Sequence, residues 1–133
     1  MKLNPDCIRD ILLSIEEITD IQTPFYFSSE TAVTKKDTPS EHIAKYGKRE
    51  LEYHLVQCNE NGLLGEMKKN VLGTYTVKSL SPKGHDFLQS IRDNSAWGKI
   101  KEFLISSGKS SLAALFQIAL DFSTEKVKQL TGL

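Results

Sequence analysis

A chain of 133 residues in which 17 lysines and arginines balance 17 aspartates and glutamates fits one core, and its zero formal charge excludes the molecule-wide positive potential of a strongly basic nucleic-acid binder. Ordinary apolar and charged fractions exclude wholesale disorder. The opening Met1-Lys2-Leu3-Asn4-Pro5-Asp6 lacks the layout of a signal peptide, and no run approaches the roughly 18 apolar residues of a membrane span, so a cytoplasmic location and no membrane partner are expected.

Asn4 followed by Pro5 announces a helix, because Asn caps orphan amides and Pro suits the first helical position. Ile8, Ile11, Leu12, Ile15 and Ile18 recur at three- and four-residue steps, which predicts one apolar stripe on a helix over about residues 5–19. Thr23-Pro24 breaks it, and Phe25-Tyr26-Phe27 suits a short edge strand. Residues 28–38 read as a loop, and Thr38-Pro39-Ser40-Glu41 predicts a short second helix over about 39–45.

Tyr46-Gly47 makes a turn into a third helix over about 48–60, striped by Leu51, Leu55 and Cys58 and stopped at Asn61-Gly62. Residues 63–67 and 74–80 favour strands on either side of Lys68-Lys69-Asn70, which predicts a hairpin with those lysines at its tip. Ser81-Pro82 opens a fourth helix ending near Asp93, with Phe87, Leu88 and Ile91 buried and Gly84 allowing close contact with a neighbour. Trp97, Ile100 and Leu104 stripe a fifth helix. After Gly108, a sixth carries Leu112, Leu115, Phe116, Ala119, Phe122, Lys126, Val127 and Leu130. Cys7 and Cys58 lie far apart within helical patterns, so both are expected as buried free thiols.

Helix, short strand, helix, helix, hairpin and helix is the order of a winged helix-turn-helix. Asn61-Gly62-Leu63-Leu64 and the run from Leu80 through Ser81-Pro82-Lys83-Gly84 to Leu88 look like boundaries of that fold. The expected class is α+β, mostly α: a winged-helix domain over residues 1–93 with a hairpin wing, and a C-terminal helical extension over 94–133. The opening with Ile8-Arg9-Asp10-Ile11-Leu12-Leu13, the run Gly84-His85-Asp86-Phe87-Leu88-Gln89-Ser90-Ile91-Arg92-Asp93 followed by Trp97, and the Gly132-Leu133 ending resemble a family of small uncharacterised proteins frequent in bacterial prophages and mobile elements. The resemblance implies fold and origin, and it brings no catalytic residue with it.

The residues themselves propose little chemistry. His54 and Cys58 are four apart on one helix and share a face, but a zinc site needs further ligands, and His42 and His85 are distant; a core thiol beside a surface histidine is the expectation. Burial in the middle of a helix would also silence Cys58 as a nucleophile. Gly108-Lys109-Ser110 copies the end of a phosphate-binding loop, yet Phe103 occupies the position of its first glycine, so a helix-to-helix turn with a capping serine is expected. Glu16-Glu17 and Glu50 with Glu52 read as solvated faces. No enzyme, metal or cofactor is therefore expected.

Two binding functions follow. A DNA-binding regulator would use the third helix in the major groove, with Lys48, Arg49, Tyr53 and Gln57 on phosphates or base edges, and Lys68 and Lys69 on phosphates at the wing; Lys35 and Lys36 add a third cluster. A homodimer through residues 110–131 would space two such recognition helices, and the other expectation for the last helix is that it packs back on its own domain. The alternative is a protein-binding module, an inhibitor or adaptor of a host or phage protein, which the neutral charge and Glu50 and Glu52 favour.

Overall fold

The computed structural model describes the backbone of residues 1–131 and the side chains through Glu125; the side chains of Lys126, Val127 and Leu130 in the last stripe, and the Gly132-Leu133 ending, lie outside that description. Its elements in chain order are α1 (Pro5–Ile18), β1 (Phe25–Ser28), α2 (Lys48–Glu60), β2 (Met67–Lys69), β3 (Thr74–Val77), α3 (Pro82–Ile91), α4 (Asn94–Ser107) and α5 (Leu112–Thr131). The fold is α+β and mostly helical. No helix among the described residues is long and apolar enough to cross a membrane.

The Asn4 side chain accepts from the Asp6 amide at 3.1 Å, a cap of the kind that contributes about 1 kcal/mol, and Pro5 takes the first position. Cys7, Ile8, Ile11, Leu12 and Ile15 are buried along one face of α1. Each large apolar side chain removed from water in this way contributes about 1.5–3 kcal/mol. Asp20 then accepts from the amides of Gln22 and Thr23 at 2.8 and 2.7 Å, a turn that delivers the chain to β1.

The sheet is antiparallel in the order β1-β3-β2, with Phe25 opposite Val77 and Met67 opposite the same residue on the other side. β1 is an edge, as its brevity predicts, but its outer side is covered. Tyr26 donates its amide to Thr38 Oγ1 and accepts from the Thr38 amide, both at 2.9 Å, and the Ser28 amide donates to Asp37 Oδ1 at 2.7 Å. The ladder groups that an edge leaves open are thereby satisfied by the following loop.

That use of the loop corrects the second predicted helix. Residues 41–45 form turns, not a helix. Thr38 pairs with β1 instead of capping, and the Ser40 hydroxyl bonds that of Ser14 at 2.6 Å. Only Ile43 of this segment is buried, too little to offset the cost of nucleating so short a helix.

α2 matches its predicted span. Past its end the Leu63 amide reaches the Cys58 carbonyl at 2.9 Å and the Gly62 amide the Asn59 carbonyl at 3.1 Å, with Gly62 left-handed at φ 75°. This pair of bonds closes the helix and turns the chain into the hairpin. The hairpin tip lies later than predicted. Asn70 Oδ1 accepts from the amides of Leu72 and Thr74 at 3.0 and 2.9 Å, and Gly73 takes φ 93°. Asn and Gly thus set the turn at 70–73, which puts Lys68 and Lys69 on β2 and Val71 and Leu72 at the tip.

Ser81 caps α3 by accepting from the Gly84 amide at 3.0 Å. Gly84 packs against the Leu63 backbone so closely that a Cβ would lie 2.0 Å from its carbonyl oxygen. Asp93 caps α4, Gly108 ends it at φ 72°, and Ser111, one residue later than the predicted serine, caps α5 through the Ala114 amide. Trp97, Ile100, Leu104, Leu112, Leu115 and Ala119 join the core formed by α1, α2, α3 and the sheet. Arg9 fastens α1 to the α3–α4 junction, donating to the carbonyls of Ile91 and Arg92 at 2.9 and 2.6 Å and to Asn94 Oδ1 at 2.8 Å.

Candidate functional site

Leu51, Leu55 and Cys58 are buried and hold α2 against the core, while Arg49 and Glu60 are exposed and Lys48, Glu52, Tyr53 and Gln57 are partly so. The predicted outward face therefore exists. Its charges, however, are paired.

Lys48 donates to Asp37 Oδ2 at 2.6 Å and to the Ser28 carbonyl at 3.0 Å, with its ammonium 4.8 Å from the Phe27 ring centroid. It ties α2 to the loop covering β1. Arg49 donates to Glu30 Oε2 at 2.7 Å although its side chain is 81% exposed. On the hairpin, Lys68 lies 3.4 Å from Glu66 and Lys69 3.7 Å from Glu52. Glu52 also accepts from the Tyr75 hydroxyl at 2.7 Å. Burial, and then that bond to a carboxylate, push the Tyr75 phenol up to about 12. The Lys69–Glu52–Tyr75 group joins the hairpin to α2.

Tyr53 stands edge-on to His54 at 4.9 Å, and the Gln57 carbonyl accepts from the Asn61 side chain at 2.9 Å. The predicted residues thus fall in two places: Lys48 and Arg49 bind the loop at the start of α2, and Lys69 meets the middle of the helix from the sheet. Lys36 lies 4.1 Å from the Tyr26 ring centroid. Sequence reasoning missed Glu30, Asp37 and Glu66 as partners of these cations, and Val71, wholly exposed, with Leu72, 40% exposed, as the hairpin tip. A hint of the tip was present, since Asn70 and Gly73 bracket those two residues as turn formers do.

His54 is a correction: it is fully buried, not a surface histidine. The Asn4 amide donates to Nε2 at 2.8 Å, so Nε2 is unprotonated and Nδ1 donates to the Glu50 carbonyl at 2.7 Å. Nε2 thereby joins α2 to the start of α1, while the Nδ1 bond stays within α2. Cys7 and Cys58 are buried and free, as expected; burial pushes the Cys7 thiol up to about 12 and the Cys58 thiol higher, which keeps both protonated. Among the described residues no three His, Cys, Asp or Glu gather as a metal site would require.

No curated protein and no solved structure matches the chain. Residues 2–110, from before α1 through α4, match a family described as Hypothetical protein (DUF2513), and the chain belongs to that family.

Proposed function

We propose that the chain is a non-enzymatic winged-helix protein whose α2 and hairpin dock on a protein partner. The β1-β3-β2 sheet, α2 and the α1–α3 packing support the winged-helix reading, with the turns at 41–45 in place of its usual second helix. The observation that carries the docking reading is the pairing of Lys48, Arg49, Lys68 and Lys69, each with a carboxylate within 4 Å. A face that interleaves both signs repels a polyanion at its acids as much as it attracts it at its bases. The hairpin tip points the same way, because Val71 and Leu72 offer apolar contact where a phosphate-binding wing would present cations. For a product of prophages or mobile elements, as the resemblance implies, that partner would be a host or phage protein.

The test is capture of a partner by the intact chain after nuclease treatment, set against the double variant Val71→Asp/Leu72→Asp. The expected result is a partner retained by the native chain and lost by the variant, at unchanged melting temperature. Capture indifferent to those substitutions contradicts the reading.

DNA binding is the second reading, and the position of α2 beside a wing favours it. Surface ion pairs contribute about 0–1 kcal/mol, so Arg49 and Lys68 can exchange Glu30 and Glu66 for phosphates. A homodimer through residues 110–131 belongs with this reading, since it would space two such helices.

A further inference from the structure

Away from α2 and the hairpin, an open groove of about 1030 Å³ runs between α4 and α5. Phe103, 56% exposed, with the partly buried Ile118 and Phe122 supply its apolar surface. Among the described lining residues the charges are one-sided. Asp93, Glu102, Asp121 and Glu125 line it against Lys99, the one cation among the described lining residues. Among the described lining residues, carboxylates thus outnumber cations around an apolar strip in a chain of zero formal charge.

We propose that the α4–α5 groove receives an amphipathic helix of a partner protein, with aliphatic or aromatic side chains on one face and lysines or arginines flanking them. The shape is suitable because the gap between two helices accepts the apolar face of a third. The charge selects the occupant. Basic flanks meet carboxylates on both helices, Glu102 on α4 and Asp121 and Glu125 on α5, which favours encounter and fixes orientation. A second copy of this chain is disfavoured there, because an isologous contact sets the acidic rim against its own equivalent. The groove shares no lining residue with the α2 and hairpin face, so the inference stands whether that face meets protein or DNA, whereas a homodimer through residues 110–131 would displace it.

The experiment uses the full chain and two fluorescent synthetic helical peptides with the same leucine face, one flanked by lysines and the other by glutamates. Anisotropy titrations at low ionic strength are expected to give at least tenfold tighter binding of the basic peptide. Glu102→Lys with Asp121→Lys is expected to remove most of that difference, Phe103→Ser to weaken binding of the basic peptide severalfold through its apolar face, and added salt to weaken binding of the basic peptide. Both sets alter exposed side chains, and thermal melting reports that the fold survives. Glu41→Lys, outside the groove, is expected to leave the affinity unchanged. Equal binding of the two peptides, or basic-peptide binding that ignores the groove substitutions, overturns the proposal. A dimer in sedimentation that the groove substitutions dissociate also overturns it, by giving the groove to a second copy.

Discussion

Gly84 is where α3 meets the end of α2, and its missing side chain is what lets the two backbones touch. A methyl group placed there would lie 2.0 Å from the Leu63 carbonyl oxygen, so Gly84→Ala must move backbone and is expected to cost about 3 kcal/mol in urea unfolding. Gly98 has the opposite surroundings: it sits within α4 with nothing inside 4 Å of its added Cβ. Gly98→Ala is expected to stabilise by about 0.5–1 kcal/mol through helix propensity alone. A loss at both positions, measured the same way, would contradict this contrast. Glu16 offers a pH test at the same scale. The hydrogen bond from Arg92, against a smaller opposing effect of burial, holds its carboxyl below the ordinary value of 4.5. The ionised form is thus favoured by folding, so its contribution is complete above that ordinary value and disappears as acid carries the pH down through the depressed one. Both partners are partly exposed and screened, which limits the contribution to about 0.5 kcal/mol. Glu16→Gln should therefore lower the urea midpoint at pH 7 and converge with the native chain on acidification; a gap that persists in acid contradicts the assignment.

Between neighbouring elements, the loop after β1 carries more than a connection. Asp37 accepts the Ser28 amide with one oxygen and the Lys48 ammonium with the other, which closes the sheet edge and positions the start of α2 together. Asp37→Ala leaves an edge amide without its partner and is expected to cost about 2 kcal/mol, with light scattering revealing self-association through the opened edge. Unchanged stability and scattering would show that the loop holds the edge without it. This tie spans 9 and 11 residues and has no periodic signal, which is why the sequence read Thr38-Pro39-Ser40-Glu41 as a helix start instead. Local signals are legible: Asn4-Pro5, Ser81-Pro82 and Asn61-Gly62 mark real helix boundaries because capping and left-handed turns involve neighbours only. The hairpin was legible as a hairpin, but its tip required recognising Asn70 and Gly73 together. The candidate site was legible as a face, from the stripe of Leu51, Leu55 and Cys58. Its charge balance was not, since Arg49–Glu30 and Lys69–Glu52 pair across 19 and 17 residues of chain, and only the folded arrangement brings them within reach.

Across the whole molecule, zero formal charge is distributed rather than uniform. Cations and carboxylates interleave over α2 and the hairpin, whereas carboxylates gather at the α4–α5 groove. Both arrangements suit protein surfaces better than a phosphate backbone, and the two proposals place separate docking faces on one core. The most direct measurement is an anisotropy titration of a fluorescent duplex DNA with the full chain at low ionic strength, where electrostatic attraction is strongest. The account predicts no saturable binding. Saturable binding that weakens steeply with salt, and whose salt dependence flattens in Arg49→Ala/Lys68→Ala, would contradict it and make the face a nucleic-acid interface.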